Sequence, residues 1–184
     1  MFIQTEKTPN TETLKFIPGM ELFVPDVIHF DRDKDCKSSP LVQELFKIEG
    51  VKSVLLTNSF LSITKENKYT WEVLKTFILS ALIDYFISGQ QVFISSSKKL
   101  SSSKKRKKSN AIITQIQELI ETKVRPAVMQ DGGDVIFRDF KDGIVFLKLQ
   151  GACAGCPSAT ITLKHGIEGM LKHYIPEVKS VEQV

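Results

Sequence analysis

The chain switches between two hydrophobic periods. Phe2–Thr5 and Thr13–Ile17 read as strands, with Pro9 and Asn10 turning the chain between them and Pro18-Gly19 ending the second. Ser39 followed by Pro40 is an N-cap residue with proline at the first helical position. The short helix it opens runs to about Lys47 and is closed by Gly50. The stretch from Gly19 to Ser38 is charged and irregular and predicts no element. Val51–Leu56 and Phe60–Lys65 form a hairpin around Asn58-Ser59. Thr70 then caps a longer helix, where Trp71, Leu74, Ile78, Ala81, Leu82 and Tyr85 recur at helical spacing.

The second half repeats these periods in another order. Asn110 caps a helix with Ile112, Ile116, Leu119, Ile120 and Val124 on one face, which Pro126 kinks or ends. Asp131-Gly132-Gly133-Asp134 is a turn. Val135–Phe140 and Ile144–Gln150 are strands joined by Asp142-Gly143, a short-range hairpin signal. A helix from Ser158 to about Tyr174 turns Leu163, Ile167, Met170, Leu171 and Tyr174 inward, and Pro176 stops it. Val178–Val184 adds a last strand, so the order is α-β-β-α-β.

Between the halves, Ser88 to Ser109 is dominated by Ser and Lys, with apolar character only at Val92, Phe93 and Ile94. Such a sequence buries too little to offset its ordering entropy. The predicted architecture is α+β: two small domains at 1–88 and 110–184, joined by a flexible basic linker at 89–109.

Charge changes the picture only through that linker. Lys98, Lys99, Lys104, Lys105, Arg106, Lys107 and Lys108 are seven of the 25 basic residues; without them 18 face 21 acidic ones, a balance of −3 instead of +4. The basicity belongs to the linker, and nucleic acid is not the expected partner. The longest apolar stretch, Phe77 to Ile87, is about half a membrane span and is interrupted by Asp84. No secretory signal opens the sequence, so a soluble, intracellular protein is expected.

Three cysteines, of which only Cys153 and Cys156 lie close together, do not make a secreted disulfide scaffold. In a reducing compartment, Cys-x-x-Cys points to metal or redox chemistry. Pro157 suits the first turn of a helix and puts Cys156 beside its N-terminus, where unpaired N–H groups and the positive dipole end favour thiolate. Gly151 and Gly155 leave room for close approach of backbone or a second chain. Two thiolates do not complete a centre. An iron–sulfur cluster normally takes four cysteines, and structural zinc takes four ligands. Cys36 lies across the linker and reads as an ordinary exposed thiol. The simplest completion is a second copy of the chain. A thiol–disulfide oxidoreductase using Cys153 and Cys156, or a zinc-stapled interaction module, remains open at this point.

Other polar residues read as bland. His165 is eight residues beyond Pro157, about 12 Å along a helix. His173 is farther, and His29 has no ligand types beside it. Asp131, Asp134 and Asp139 read as turn residues beside glycines rather than a divalent-metal loop. No nucleophile–base pair or nucleotide-binding loop appears, so the chain is not expected to be an enzyme.

Gly132-Gly133-Asp134 before a hairpin, then Gly151-Ala-Cys-Ala-Gly-Cys-Pro-Ser158 entering a helix, resembles the NifU C-terminal-type domain of the Nfu iron–sulfur scaffold family over about 110–184. Met1-Phe-Ile-Gln-Thr-Glu6, Thr13-Leu-Lys-Phe-Ile-Pro18, Ser39-Pro-Leu41, Leu45-Phe46 and Ile48-Glu-Gly-Val51 resemble that family's N-terminal domain. The resemblance implies a 4Fe–4S cluster, with 2Fe–2S as the other option, bridging a homodimer through Cys153 and Cys156 of each subunit. It also implies delivery to apo iron–sulfur client proteins and loading from an upstream cluster donor or cysteine desulfurase system. The expected location is the cytoplasm of a bacterium, or the mitochondrial matrix for a processed eukaryotic chain.

Overall fold

The computed structural model describes residues 2–94, 111–154 and 157–184. The chain divides into two compact units, about 1–99 and 100–184, each with its own hydrophobic core. The mixed α+β class is as the sequence predicts. Most of the proposed linker, 95–109, and the proposed cap Asn110 lie outside the described residues.

The first unit is a five-stranded antiparallel sheet in the order β1-β2-β5-β4-β3, with two helices. The strands are β1 (Gln4–Lys7), β2 (Thr13–Ile17), β3 (Ile28–Asp31), β4 (Val51–Leu56) and β5 (Leu61–Lys65). The helices are α1 (Pro40–Lys47) and α2 (Trp71–Ile87). Leu41, Val42 and Leu45 of α1 and Leu74, Ile78 and Leu82 of α2 share a core with Phe16, Val54, Leu56, Leu61 and Ile63. Ser39 caps α1 as expected, its Oγ accepting from the Val42 N–H at 3.3 Å. Thr70 stands at the N-cap of α2 but makes no side-chain capping bond there.

The segment read as irregular contains an edge strand. Its anchor is Arg32, whose Nε donates to Val51 O at 2.8 Å and whose Nη2 donates to Phe46 O at 2.7 Å and Ile48 O. One guanidinium thus satisfies carbonyls around the end of α1 and fixes β3 beside β4. Leu22 and Val24 are buried, and Asn58 binds this loop through Val24 N and Glu21.

The first unit also extends past its expected end at residue 88. Val92 is only 8% exposed and belongs to the core. Ser39 Oγ donates to Val92 O at 2.7 Å, Tyr85 Oη to Gln91 O at 2.7 Å, and the Ile94 N–H to Ser38 O at 2.8 Å. Residues 89–94 therefore pack on the first unit and are not linker. Three apolar residues in a polar run were enough, because the chain there satisfies its carbonyls on side chains already in place.

The second unit is a three-stranded sheet, β6 (Gly133–Lys141), β7 (Ile144–Gly151) and β8 (Ser180–Gln183), with helices to either side in sequence. Asp142 and Gly143 both take positive φ, 54° and 86°, as a two-residue hairpin between β6 and β7 requires. β8 pairs with β7 in parallel, so the helix between them, α5 (Pro157–Tyr174), is a crossover. Ile116, Ile120, Val124, Val128, Val135, Leu147, Ile167, Leu171 and Val181 fill the core.

Pro126 does not end the first helix of this unit. The helix runs as α3 (Ala111–Leu119), a π-turn over Ile120–Val124, and α4 (Arg125–Gln130). The Arg125 N–H reaches back to Ile120 O. The wider turn accommodates a proline that brings no N–H of its own. Tyr174, expected inward, is 52% exposed at the last position of α5; Ile175 and Val178 fill the core there instead.

Candidate functional site

The conspicuous loop of the second unit lies between the end of β7 and the start of α5. Gly151 pairs with Gly133 across the sheet and then turns the chain with φ 62°. The Ala152 N–H donates to Gly132 O at 3.1 Å, and the Ala154 N–H to Gly151 O at 3.0 Å. These two bonds tie the loop to the neighbouring strand and fold it back on itself. They place Cys153 against β6, just before the helix.

Cys153 is only 4% exposed and is part of the core. Its sulfur rests on the bare backbone of Gly133. A β-carbon built at Gly133 would lie 2.4 Å from Cys153 Sγ, 3.0 Å from its Cβ and 3.1 Å from its backbone nitrogen. Gly133 is therefore required by space.

The strand under the thiol has its own anchor. Asp134, with none of its surface exposed, accepts from Arg125 Nε at 2.8 Å and Nη2 at 3.4 Å. Arg125 Nη1 also reaches Glu121 at 3.0 Å, one turn back. Burial alone would lower the Arg125 pKa, but the hydrogen bonds to Asp134 and Glu121 outweigh it and raise it above the ordinary arginine value. The reading of Asp134 as a bland turn residue is thus corrected: it is a buried partner of an ion pair. Asp139 does act locally, accepting from the Phe140 N–H, and Asp131 ends α4.

Of the two predicted site residues, the structure places Cys153 in this loop, and Cys156 lies outside the described residues. His165 and His173 are exposed on α5. Among the described residues no group of three or more His, Cys, Asp or Glu could hold a metal ion. Cys36 is half-buried against the first core rather than an open surface thiol, and its carbonyl accepts from Ser39 N–H and Gln43 Nε2. Sequence reasoning missed Arg125. It lies nine residues from Asp134 on another element, and no local spacing links them. No helix among the described residues is long and apolar enough to cross a membrane.

The scaffold protein Nfu/NifU N-terminal family matches residues 3–89, and the NifU-like domain family matches 116–182. The human protein named NFU1 iron-sulfur cluster scaffold homolog, mitochondrial, is 46% identical over the whole chain, which spans 72% of that relative. The Drosophila ananassae protein of the same name is 41% identical over the whole chain, which spans 64% of it. A solution structure of a NifU-like protein from Saccharomyces cerevisiae aligns with 52% of this chain and 86% of its own, at 26% identity and a TM-score of 0.46. With both family models matched in order, and relatives alike from end to end of this sequence, the chain belongs to the Nfu family of iron–sulfur cluster scaffold proteins.

Proposed function

We propose that this protein carries a 4Fe–4S cluster between two copies of itself, held by Cys153 and Cys156 of each, and passes it to apo iron–sulfur proteins. Family membership supports the scaffold role. The observation that carries the reading to this site is Cys153 itself, a buried thiol on the segment between β7 and an 18-residue helix, packed on the backbone of Gly133. Soft thiolate donors suit iron–sulfur cargo. The helix N-terminus favours an anionic metal–thiolate centre. Four ligands at two per chain require two chains.

The burial of Cys153 adds a step. Its sulfur must turn away from Gly133 before cargo or a second chain can reach it, so loading begins with movement of the Ala152–Ala154 segment. The Ala152 N–H to Gly132 O bond ties this segment to the neighbouring strand just past the Gly133–Gly151 end of the β6–β7 ladder. A cluster shared across two such loops is exposed to attack by thiols of a third protein, as a carrier needs.

The relatives are named mitochondrial, which supports the mitochondrial expectation over the bacterial cytoplasm. Binding and handing over cargo, without turnover of a substrate, is the activity proposed.

Anaerobic reconstitution with iron and sulfide tests the reading. A broad absorption band near ~400 nm is expected, with one cluster per dimer. Cys153→Ser or Cys156→Ser abolishes it, and Cys36→Ser leaves it. The cluster then moves to an apo acceptor in the presence of an iron chelator. A colourless zinc-bound dimer, or a Cys153–Cys156 disulfide that exchanges with thiols and no cluster, would refute the proposal. So would a full cluster on a strict monomer.

A further inference from the structure

The ion pair beside the cysteine loop is placed to do more than hold the domain together. Arg125 is the first residue of α4, directly after the π-turn. An extra residue in a helical turn rotates everything after it, and here it brings the Arg125 side chain onto β6. The guanidinium takes both oxygens of Asp134, the residue next to Gly133. A planar fork on a buried carboxylate fixes position as well as charge. Asp134 pairs with Gln150 and Gly133 with Gly151 in the same ladder, so the fork fixes the strand end under the cysteine loop. Gly132 O receives the Ala152 N–H, and Gly133 lies in contact with Cys153 Sγ, Cβ and N. A displacement of Asp134 is therefore passed through a single peptide unit to the surface on which the thiol rests.

We propose that Arg125 is a positioning residue for Cys153: through Asp134 it fixes the Gly132-Gly133 backbone, and so sets the placement and accessibility of the thiol. The two sides of the guanidinium differ. Asp134 is buried and adjoins the thiol floor, whereas the Glu121 side chain is 57% exposed and one helical turn away. Only the Asp134 side transmits to Cys153.

The test uses the full chain carrying Cys36→Ser and Cys156→Ser, so that Cys153 is the sole thiol, with a small neutral thiol reagent as probe. In the parent, labelling is slow because the sulfur is buried. Arg125→Gln speeds it about tenfold or more, the scale of a lost local-opening barrier. Arg125→Lys, which keeps the charge but loses the fork, gives a smaller rise in the same direction. Glu121→Gln stays within about twofold of the parent, as an exposed pair predicts. Hydrogen exchange of β7 and β8 checks that each variant is folded. Labelling at the parent rate in folded Arg125→Gln and Arg125→Lys overturns the proposal. So does an equal effect from Glu121→Gln, or global unfolding of even Arg125→Lys, which would make the pair a general support.

The link to cargo rests on the cluster-carrier reading and is measured separately, by reconstitution of Arg125→Lys with all cysteines present. Reduced cluster yield or faster loss is expected, and unchanged yield and retention would sever that link. If the parent itself takes up no cluster, the carrier reading fails while the labelling result still decides the positioning role.

Discussion

Replacing Gly133 by alanine is the sharpest perturbation of the cysteine loop. The new methyl would stand 2.4 Å from Cys153 Sγ, 3.0 Å from its Cβ and 3.1 Å from its amide nitrogen. Nonbonded heavy atoms prefer about 3.5–4.0 Å, so the sulfur contact must open by roughly 1.1–1.6 Å. Rotation of the thiol relieves the first clash alone. The Cβ and backbone contacts are relieved only if the Ala152–Ala154 segment lifts from β6. Overpacking of this kind costs about 1–3 kcal/mol, and in a unit this small it lowers the unfolding midpoint by roughly 5–20 °C. Scanning calorimetry of the full chain measures it, since each unit has its own core. Gly169→Ala is the control. No atom lies within 4 Å of a β-carbon there, and the position is inside α5. It should raise stability by about 0.5–1 kcal/mol, because glycine is a poor helix former. A Gly133→Ala midpoint equal to the parent's, with Cys153 labelled no faster, would refute the claim that the thiol rests on this residue.

Ser39→Ala removes two bonds at once, the cap to Val42 N–H and the donation to Val92 O; urea unfolding of the first unit should show a loss of about 1–3 kcal/mol. It should also raise hydrogen exchange at Ile94, and protection unchanged there would mean that residues 89–94 are not held by this contact. Glu168 is held below its ordinary pKa of 4.5 by its hydrogen bond to Lys172 and then by the Val181 N–H. A carboxylate lowered in the folded state adds stability above its unfolded pKa, and that stability is lost as pH falls through the folded value. Glu168→Gln should therefore cost up to about 1 kcal/mol at neutral pH, with the difference from the parent shrinking as pH falls below 4.5 and through the lower folded-state value; a constant difference at all pH values would contradict the assignment.

Local chemistry was readable in the sequence wherever a single residue type decides a conformation. Ser39-Pro40 opened a helix and Asp142-Gly143 closed a hairpin, because capping and positive φ depend on the residue itself. Gly151 and Gly155 marked a site of close approach, but the glycine that the thiol meets is Gly133 on the neighbouring strand, which only the sheet register brings there. What stayed hidden depends on partners distant in sequence. β3 is an edge strand paired on one side only, and it is pinned by Arg32 to carbonyls 14, 16 and 19 residues away. Val92 is buried by a contact with Ser39, 53 residues earlier. Asp134 looked like part of a turn, since nothing near it announces Arg125. Pro126, read as kinking or ending its helix, marks an irregularity but no end: the helix widens into a π-turn just before it and continues.

The parallel strand β8 has a consequence for synthesis. Its residues pair with Ile144–Leu147, which leave the ribosome more than thirty residues earlier. Until Ser180–Gln183 emerge, β7 has an open edge on that side, and Glu168 lacks the Val181 amide it will bind. Pairings this far apart form late and leave strand edges exposed meanwhile. The cysteine loop at the far end of β7 is thus made before the unit that supports it can close. Nascent chains in which Cys153 has emerged but Ser180–Gln183 have not would present the thiol beside an unpaired strand, a state open to oxidation and aggregation.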